Sequence, residues 1–128
     1  MKIVMDNQQL GDLIKKYQKE KFDFEGKLEL IGEQHYDMCG DYAEVKAIMI
    51  GKMKLEGVQY DLIQEMDEDE IRQIIKYYVE KNGYRAGYMK FINVVEKNPE
   101  VLVDKKPRLA FKNVEIEINQ KVKKIGGI

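Results

Sequence analysis

His35 and Cys39, the one histidine and the one cysteine of this chain, stand four residues apart in the polar stretch Glu33-Gln34-His35-Tyr36-Asp37-Met38-Cys39-Gly40-Asp41. A thiolate beside an imidazole is a competent nucleophile, and Glu33, Asp37 or Asp41 would orient the ring. Other chemistries are closed to the pair. One His and one Cys do not complete the four-ligand set of a structural zinc site within one chain, and there is no second histidine to relay a proton. The same residues are also ordinary turn chemistry, with Gly40-Asp41 supplying the bend and Met38 and Cys39 tucking under a sheet. The stretch therefore reads first as a loop between two strands. Metal binding across a dimer and an enzyme using His35 and Cys39 are the alternatives.

Two further groups carry charge or aromatic surface. The run Glu65-Met66-Asp67-Glu68-Asp69-Glu70 offers several carboxylates to a divalent cation, but it lacks the glycine-interrupted spacing of a calcium loop. Its plainer reading is the acidic first turn of a helix, where negative charge offsets the partial positive charge of the N-terminus. Downstream, Lys76, Tyr77, Lys81, Asn82, Tyr84, Arg85, Tyr88, Lys90 and Phe91 interleave basic and aromatic side chains. Such a cluster stacks on a base or holds a phosphate, with Tyr77, Lys81, Tyr84, Arg85 and Tyr88 as the ligand-binding candidates. Equally, Tyr78, Tyr88 and Phe91 are candidates for the core, with the lysines solvated around them.

The elements that position these groups follow from periodicity. Leu10, Leu13, Ile14 and Tyr17 recur at helical spacing after Asp6 or Asn7 as N-cap, which predicts a helix over 7–20. Phe22, Phe24, Leu28 and Leu30 then alternate with Asp23, Glu25, Lys27 and Glu29, a half-buried strand with Gly26 as a bulge or crossing point. Over 43–55 the composition favours helix, yet Ala43, Val45, Ala47, Met49, Gly51, Met53 and Leu55 repeat at spacing two, which predicts a long strand. Glu56-Gly57 supplies a two-residue hairpin turn. Pairing across it sets Leu55 against Val58, Met53 against Tyr60 and Gly51 against Leu62 on one face. On the other face Lys52 meets Asp61 and Ile50 meets Ile63, so apolar and charge pairing agree on one register. Ile71, Ile74, Ile75 and Tyr78 predict a helix ending at Asn82-Gly83. Tyr84, Tyr88, Phe91, Ile92 and Val95 predict a second helix over 85–97, stopped by Asn98-Pro99. A last strand begins at Leu109 and Phe111 and continues in shifted phase through Val114, Ile116 and Ile118, which places a bulge or turn near Lys112-Asn113. The tail from about residue 120 reads as mobile.

The resulting fold class is α+β: one domain over 1–128, an antiparallel meander of three strands plus a C-terminal strand, packed against helices on one face. Its outer face is unusual. Ile48, Ile50 and Ile63, with Ile31 nearby, interrupt a surface otherwise made of Glu44, Lys46, Lys52, Lys54, Glu56 and Asp61. An apolar centre with a charged rim is the anatomy of a protein contact, most simply a homodimer; cover by the first helix or the tail is the alternative.

Bulk composition narrows the function. With 128 residues, 44% hydrophobic and 35% charged, the chain is long enough for a core without metal or disulfide. A net charge of -1 argues against a broad nucleic-acid footprint, so a nucleotide remains possible without being favoured. One unpaired cysteine fits a reducing compartment, and neither a signal-peptide core nor a membrane-spanning run is present, which together predict a cytoplasmic protein with no membrane partner. A lysine excess over the three arginines at 72, 85 and 108 is the mark of an AT-rich bacterial or phage genome. No hydrolase elbow, phosphate loop, dinucleotide fingerprint or paired-cysteine spacing occurs, and no cofactor is implied. The expectation is a small interaction module, self-associating and acting on a protein partner as an inhibitor or regulator. A small-ligand or nucleotide binder using Tyr77 to Phe91 is the runner-up.

Overall fold

Period-two alternation carries most of the chain into strands. The computed structural model describes residues 1–37, 40–95 and 109–120. Within them the order is β1 (Lys2–Asp6), α1 (Asn7–Phe22), β2 (Phe24–Asp37), β3 (Gly40–Leu55), β4 (Val58–Met66), α2 (Glu68–Lys81), β5 (Tyr84–Val95) and β6 (Leu109–Gln120). All strand pairs are antiparallel, and two helices pack against the six-stranded sheet, as an α+β reading requires.

The helix boundaries are set by local chemistry. Asp6 caps α1: its carboxylate accepts from the Gln9 N–H at 2.8 Å, and Gln9 Oε1 accepts from the Asp6 N–H at 2.9 Å, a reciprocal capping box. Asp23 ends the helix in a left-handed conformation with φ of 50°, and Lys19 ties that corner to β2 through ion pairs of 2.7 Å to both Asp23 and Glu25. Those two hydrogen bonds hold the Lys19 ammonium well above its ordinary pKa, and the same contact lowers that of Asp23. Asp67 caps α2, followed by Glu68, Asp69 and Glu70 in the first turn, and Asn82 and Gly83 close it. Only Asp67–Glu70 of the acidic run are thus helix-terminal, whereas Glu65 and Met66 belong to the end of β4 and not to the first turn, and among the described residues no group of His, Cys, Asp or Glu is arranged to hold a metal ion.

Leu10 and Ile14 of α1 and Ile71 and Ile75 of α2 meet Phe24, Val45, Met49, Val114 and Ile116 of the sheet in one buried cluster. Gln18 is buried with them, its Nε2 donating to Met66 Sδ at 3.3 Å.

The hairpin register agrees residue for residue with the pairing drawn from the sequence: Leu55 with Val58, Met53 with Tyr60, Gly51 with Leu62, Lys52 with Asp61 and Ile50 with Ile63. Glu56 and Gly57 both have positive φ, the two-residue turn that suits twisted strands. The foreseen crossing at Gly26 is also present. Gly26 lies opposite Gly51, so close that a methyl group at either would come within 2.6 Å of the other's Cα.

Three expectations need correction. The sheet has six strands among the described residues, not four, because β1 and β5 join it. Residues 85–97 do not form a helix, since Tyr84–Val95 is a strand paired with β6. A bulge explains the misreading. Between Ala86 and Met89 the register slips by one residue against Ile118 and Ile116, so the inward series runs Tyr84, Ala86, Met89, Phe91. One extra residue makes the spacing from Tyr84 to Phe91 seven, which imitates a helical heptad. The third correction concerns the stretch around His35. Pairing of β2 with β3 continues from Glu33 opposite Glu44 to Asp37 opposite Gly40, so most of it is ladder instead of loop. A second register shift, Ile92 with Asn113 and Asn93 with Phe111, places the extra residue at Lys112, where the phase change in the sequence located it.

Candidate functional site

β3 and β4 form a hairpin whose far end projects past the helices, and its two faces differ in what they expose. On the outer face, the register sets Lys27, Ile50 and Ile63 in one row across β2, β3 and β4, with Glu29, Ile48 and Glu65 in the next and Ile31 beside Lys46 in the one after. An apolar diagonal therefore crosses the face from Ile63 through Ile50 and Ile48 to Ile31. Ile50 is 57% exposed and Ile63 69% exposed, whereas Ile48 and Ile31 are half-buried. Both helices lie on the opposite face, so α1 does not cover this diagonal.

The rim is charged. Lys46 bridges Glu65 at 3.0 Å and Glu33 at 3.9 Å, and these contacts, the Glu65 hydrogen bond foremost, raise its pKa against the opposing effect of burial. Lys52 and Asp61 face one another in the row beyond Ile50 and Ile63. Beside Lys46 a cleft of about 340 Å³ is lined by Glu33, Glu65, Asp67 and Glu70.

On the inner face the end of the hairpin exposes Leu55, Val58 and Tyr60, with Phe22 at the end of α1 close by. A cleft of about 290 Å³, lined by Phe22, Phe24, Met53, Leu62, Ile63 and Gln64, opens along β4. Six of the nine large apolar side chains exposed among the described residues lie on or beside this hairpin, so apolar exposure is concentrated and not scattered. Sequence reading located the outer patch but passed over the inner one; the signal was Leu55, Val58 and Tyr60 continuing the inward phase beyond the reach of α1.

The basic and aromatic cluster is divided between two elements. Tyr77 and Lys81 belong to α2, where Tyr77 makes edge contacts with Tyr17 at 5.6 Å and Tyr78 at 5.1 Å between centroids, and Lys21 lies 4.5 Å above its ring. Lys81 lies over both the Tyr77 and Tyr78 rings. Tyr78 is buried and donates to the Glu20 carboxylate at 3.2 Å, and burial first, then that hydrogen bond and the carboxylate's charge, push its phenol up to about 12. Tyr84, Arg85 and Tyr88 are on β5. Tyr84 packs on the core, Arg85 is exposed, and the bulge turns Tyr88 outward to 68% exposure. Phe91 meets Phe111 at a tilt with 6.2 Å between centroids, and the Arg72 guanidinium lies 4.9 Å over the Phe91 ring. The aromatic groups of α2 thus close the seam between the helices, and those of β5 serve a different part of the sheet.

Of the reactive pair, the backbone of His35 pairs with Tyr42 in the ladder, while its side chain and all of Cys39 lie outside the described residues, as do the tail from residue 121 and the connector to Pro107. Among the described residues no helix is long and apolar enough to cross a membrane. Neither a protein-family model nor a curated protein nor a solved structure matches this chain.

Proposed function

We propose that this protein is a small cytoplasmic interaction module that binds another protein through the outer face of the β3–β4 hairpin, with Ile50 and Ile63 as the centre of the contact and Ile48, Lys52 and Asp61 around it. One observation supports the reading above others: two isoleucines stand directly opposite each other in a rigid ladder, both more than half exposed, inside a charged surface. Burying such a side chain fully is worth roughly 1.5 to 3 kcal/mol, and a partner that covers the pair would gain it. A charged rim around an apolar centre sets orientation and excludes wrong partners, which suits a regulator or inhibitor. The composition fits a phage or mobile-element origin for such a protein.

The test is Ile50→Lys. A solvent-facing change on a preformed strand should alter stability by less than about 0.5 kcal/mol. Wild-type and variant proteins, immobilised side by side, are exposed to an extract of the producing cells. A protein held by the wild type should be lost from the variant, with the Kd for the purified pair weakened by about 30-fold or more, the mark of a central contact residue. Equal capture by both baits would refute the assignment.

A further inference from the structure

The edge of β4 turned away from β3 has no partner among the described residues and is distinct from the outer face. We infer that two copies of this chain pair edge to edge through β4, antiparallel about a two-fold axis at Leu62, each placing Tyr60 in the cleft of the other. This rests on reading the hairpin as a contact element, but uses its edge and inner face.

The first argument is a contrast within the molecule. An exposed strand edge presents unpaired N–H and C=O groups, and soluble proteins blunt such edges with lysine, proline or bulges. β5, the edge strand at the other end of the sheet, carries those devices: a bulge between Ala86 and Met89, a second irregularity at Ile92, basic residues Arg85 and Lys90, and an Arg72 side chain donating to the Met89 carbonyl at 3.2 Å. β4 carries none of them. Val58–Met66 pairs with β3 in unbroken register, contains no lysine, arginine or proline, and among the described residues has no partner on its other side.

Charge narrows the register, and the inner cleft then decides it. Like charges directly opposite are destabilising in an antiparallel pair. Centring the axis on Asp61 opposes that residue to its own copy, and centring it on Ile63 opposes Asp61 to Glu65 twice. Centring it on Leu62 opposes Asp61 to Ile63, Gln59 to Glu65, Tyr60 to Gln64 and Val58 to Met66, with no like-charged pair. That register also uses the inner cleft. Gln64 lines it together with Phe22, Phe24, Met53 and Leu62, so the second copy's Tyr60, 50% exposed in the single chain, arrives at its mouth. Two clefts and two tyrosines are matched by the symmetry.

The experiment combines mass with register. Light scattering across a dilution series should show a dimer of the full chain that dissociates on dilution, with the outward amides of β4 protected from exchange only in the dimer. Tyr60→Lys, at an exposed position, should stay folded and raise the dimer dissociation constant at least about tenfold. In a Cys39→Ser background, Asp61→Cys mixed with Ile63→Cys should form a disulfide-linked pair under mild oxidation, and neither alone should; Leu62→Cys should link to itself. One of these designs falls on the closer, non-hydrogen-bonded kind of pair, so at least one is geometrically favourable. A wild-type protein that is monomeric at every concentration overturns the inference. So does a dimer unaffected by Tyr60→Lys that cross-links at none of these positions, or a monomer whose β4 amides become protected only on addition of an extended lysine-rich peptide. The outer-face reading is judged separately. Ile50 lies one strand in from the edge, so Ile50→Lys should leave the dimer intact whether or not it abolishes capture of a foreign partner.

Discussion

Replacing Gly51 by alanine adds one methyl group, and the structure indicates that this methyl has nowhere to go. The new Cβ would lie 2.6 Å from the Gly26 Cα and would overlap the Glu25 carbonyl oxygen, both of them backbone atoms of the neighbouring strand. Carbon atoms pack at about 3.5 to 4.0 Å, so β2 and β3 must separate locally by about 1 Å. Overpacking of this kind costs about 1 to 3 kcal/mol. Weakening two ladder hydrogen bonds beside it adds about 1 kcal/mol each, giving a total of about 3 to 5 kcal/mol. Gly57 is the control. Its φ of 77° disfavours alanine, but nothing lies within 4 Å of the position a Cβ would take. Left-handed backbone costs about 1 to 2 kcal/mol, offset by about 0.4 to 1 kcal/mol from the stiffer unfolded chain, leaving about 1 kcal/mol for Gly57→Ala. Urea titrations followed by far-UV circular dichroism should therefore place Gly51→Ala at least about 2 kcal/mol below Gly57→Ala in stability. The double variant Gly26→Ala with Gly51→Ala should cost less than the sum of its singles, because one separation of the strands serves both methyls. A Gly51→Ala protein as stable as Gly57→Ala would refute the reasoning, since it would mean that the strands do not cross as closely as described.

Tyr78→Phe removes the hydrogen bond to Glu20 and should cost about 0.5 to 1.5 kcal/mol by denaturant titration at neutral pH. Because the folded-state pKa of Tyr78 is raised from 10.0 to about 12, the stabilisation held by its protonated form is complete below pH 10 and is lost as pH rises through about 12; Tyr78→Phe should flatten that alkaline loss, and an unchanged profile would count against it. Gln18 is buried with no partner for its Oε1 among the described residues, so Gln18→Met, which keeps the volume, should raise stability by about 1 kcal/mol, read as an increased thermal midpoint. Asp67→Ala deletes the carboxylate that accepts from the Glu70 N–H at 2.8 Å, and should lower stability by about 1 kcal/mol without changing the slope of the urea transition.

How far the sequence could be read depended on whether a pattern was local. The hairpin was fully legible because apolar and charge pairing across Glu56-Gly57 fix a single register, and the outer isoleucines came with it. The start of α1 was legible to within one residue, with Asp6 or Asn7 as the cap, and that of α2 from the acidic run before Ile71, though not the capping role of Asp67 within it. β5 was not, because a bulge breaks the period-two rule, and the rule offers no way to tell a slipped strand from a helical heptad. β1 escaped for a different reason: its alternating Ile3 and Met5 acquire meaning only beside Ile116 and Val114, more than a hundred residues away. The edge of β4 was equally invisible, since whether a strand has a neighbour is a property of the sheet and not of the strand.

The position of β6 has a consequence for how the protein comes into being. It pairs with β5 along one side, and with β1 and the middle of β2 along the other, through Asn113–Glu117 and Leu109-Ala110. A ribosome therefore makes β1 and then more than a hundred further residues before the strand that pairs with it among the described residues emerges. Until then the β2–β3–β4 hairpins can form from nearby segments, but the core still lacks Phe111, Val114 and Ile116 of β6, so inner apolar surface stands open while Ile48, Ile50 and Ile63 are offered to water on the outer face. Folding dominated by such distant pairings is slow. The interval between the completion of β4 and the arrival of β6 is when this chain is most exposed to wrong pairing, and it is set by the rate of translation as much as by the sequence.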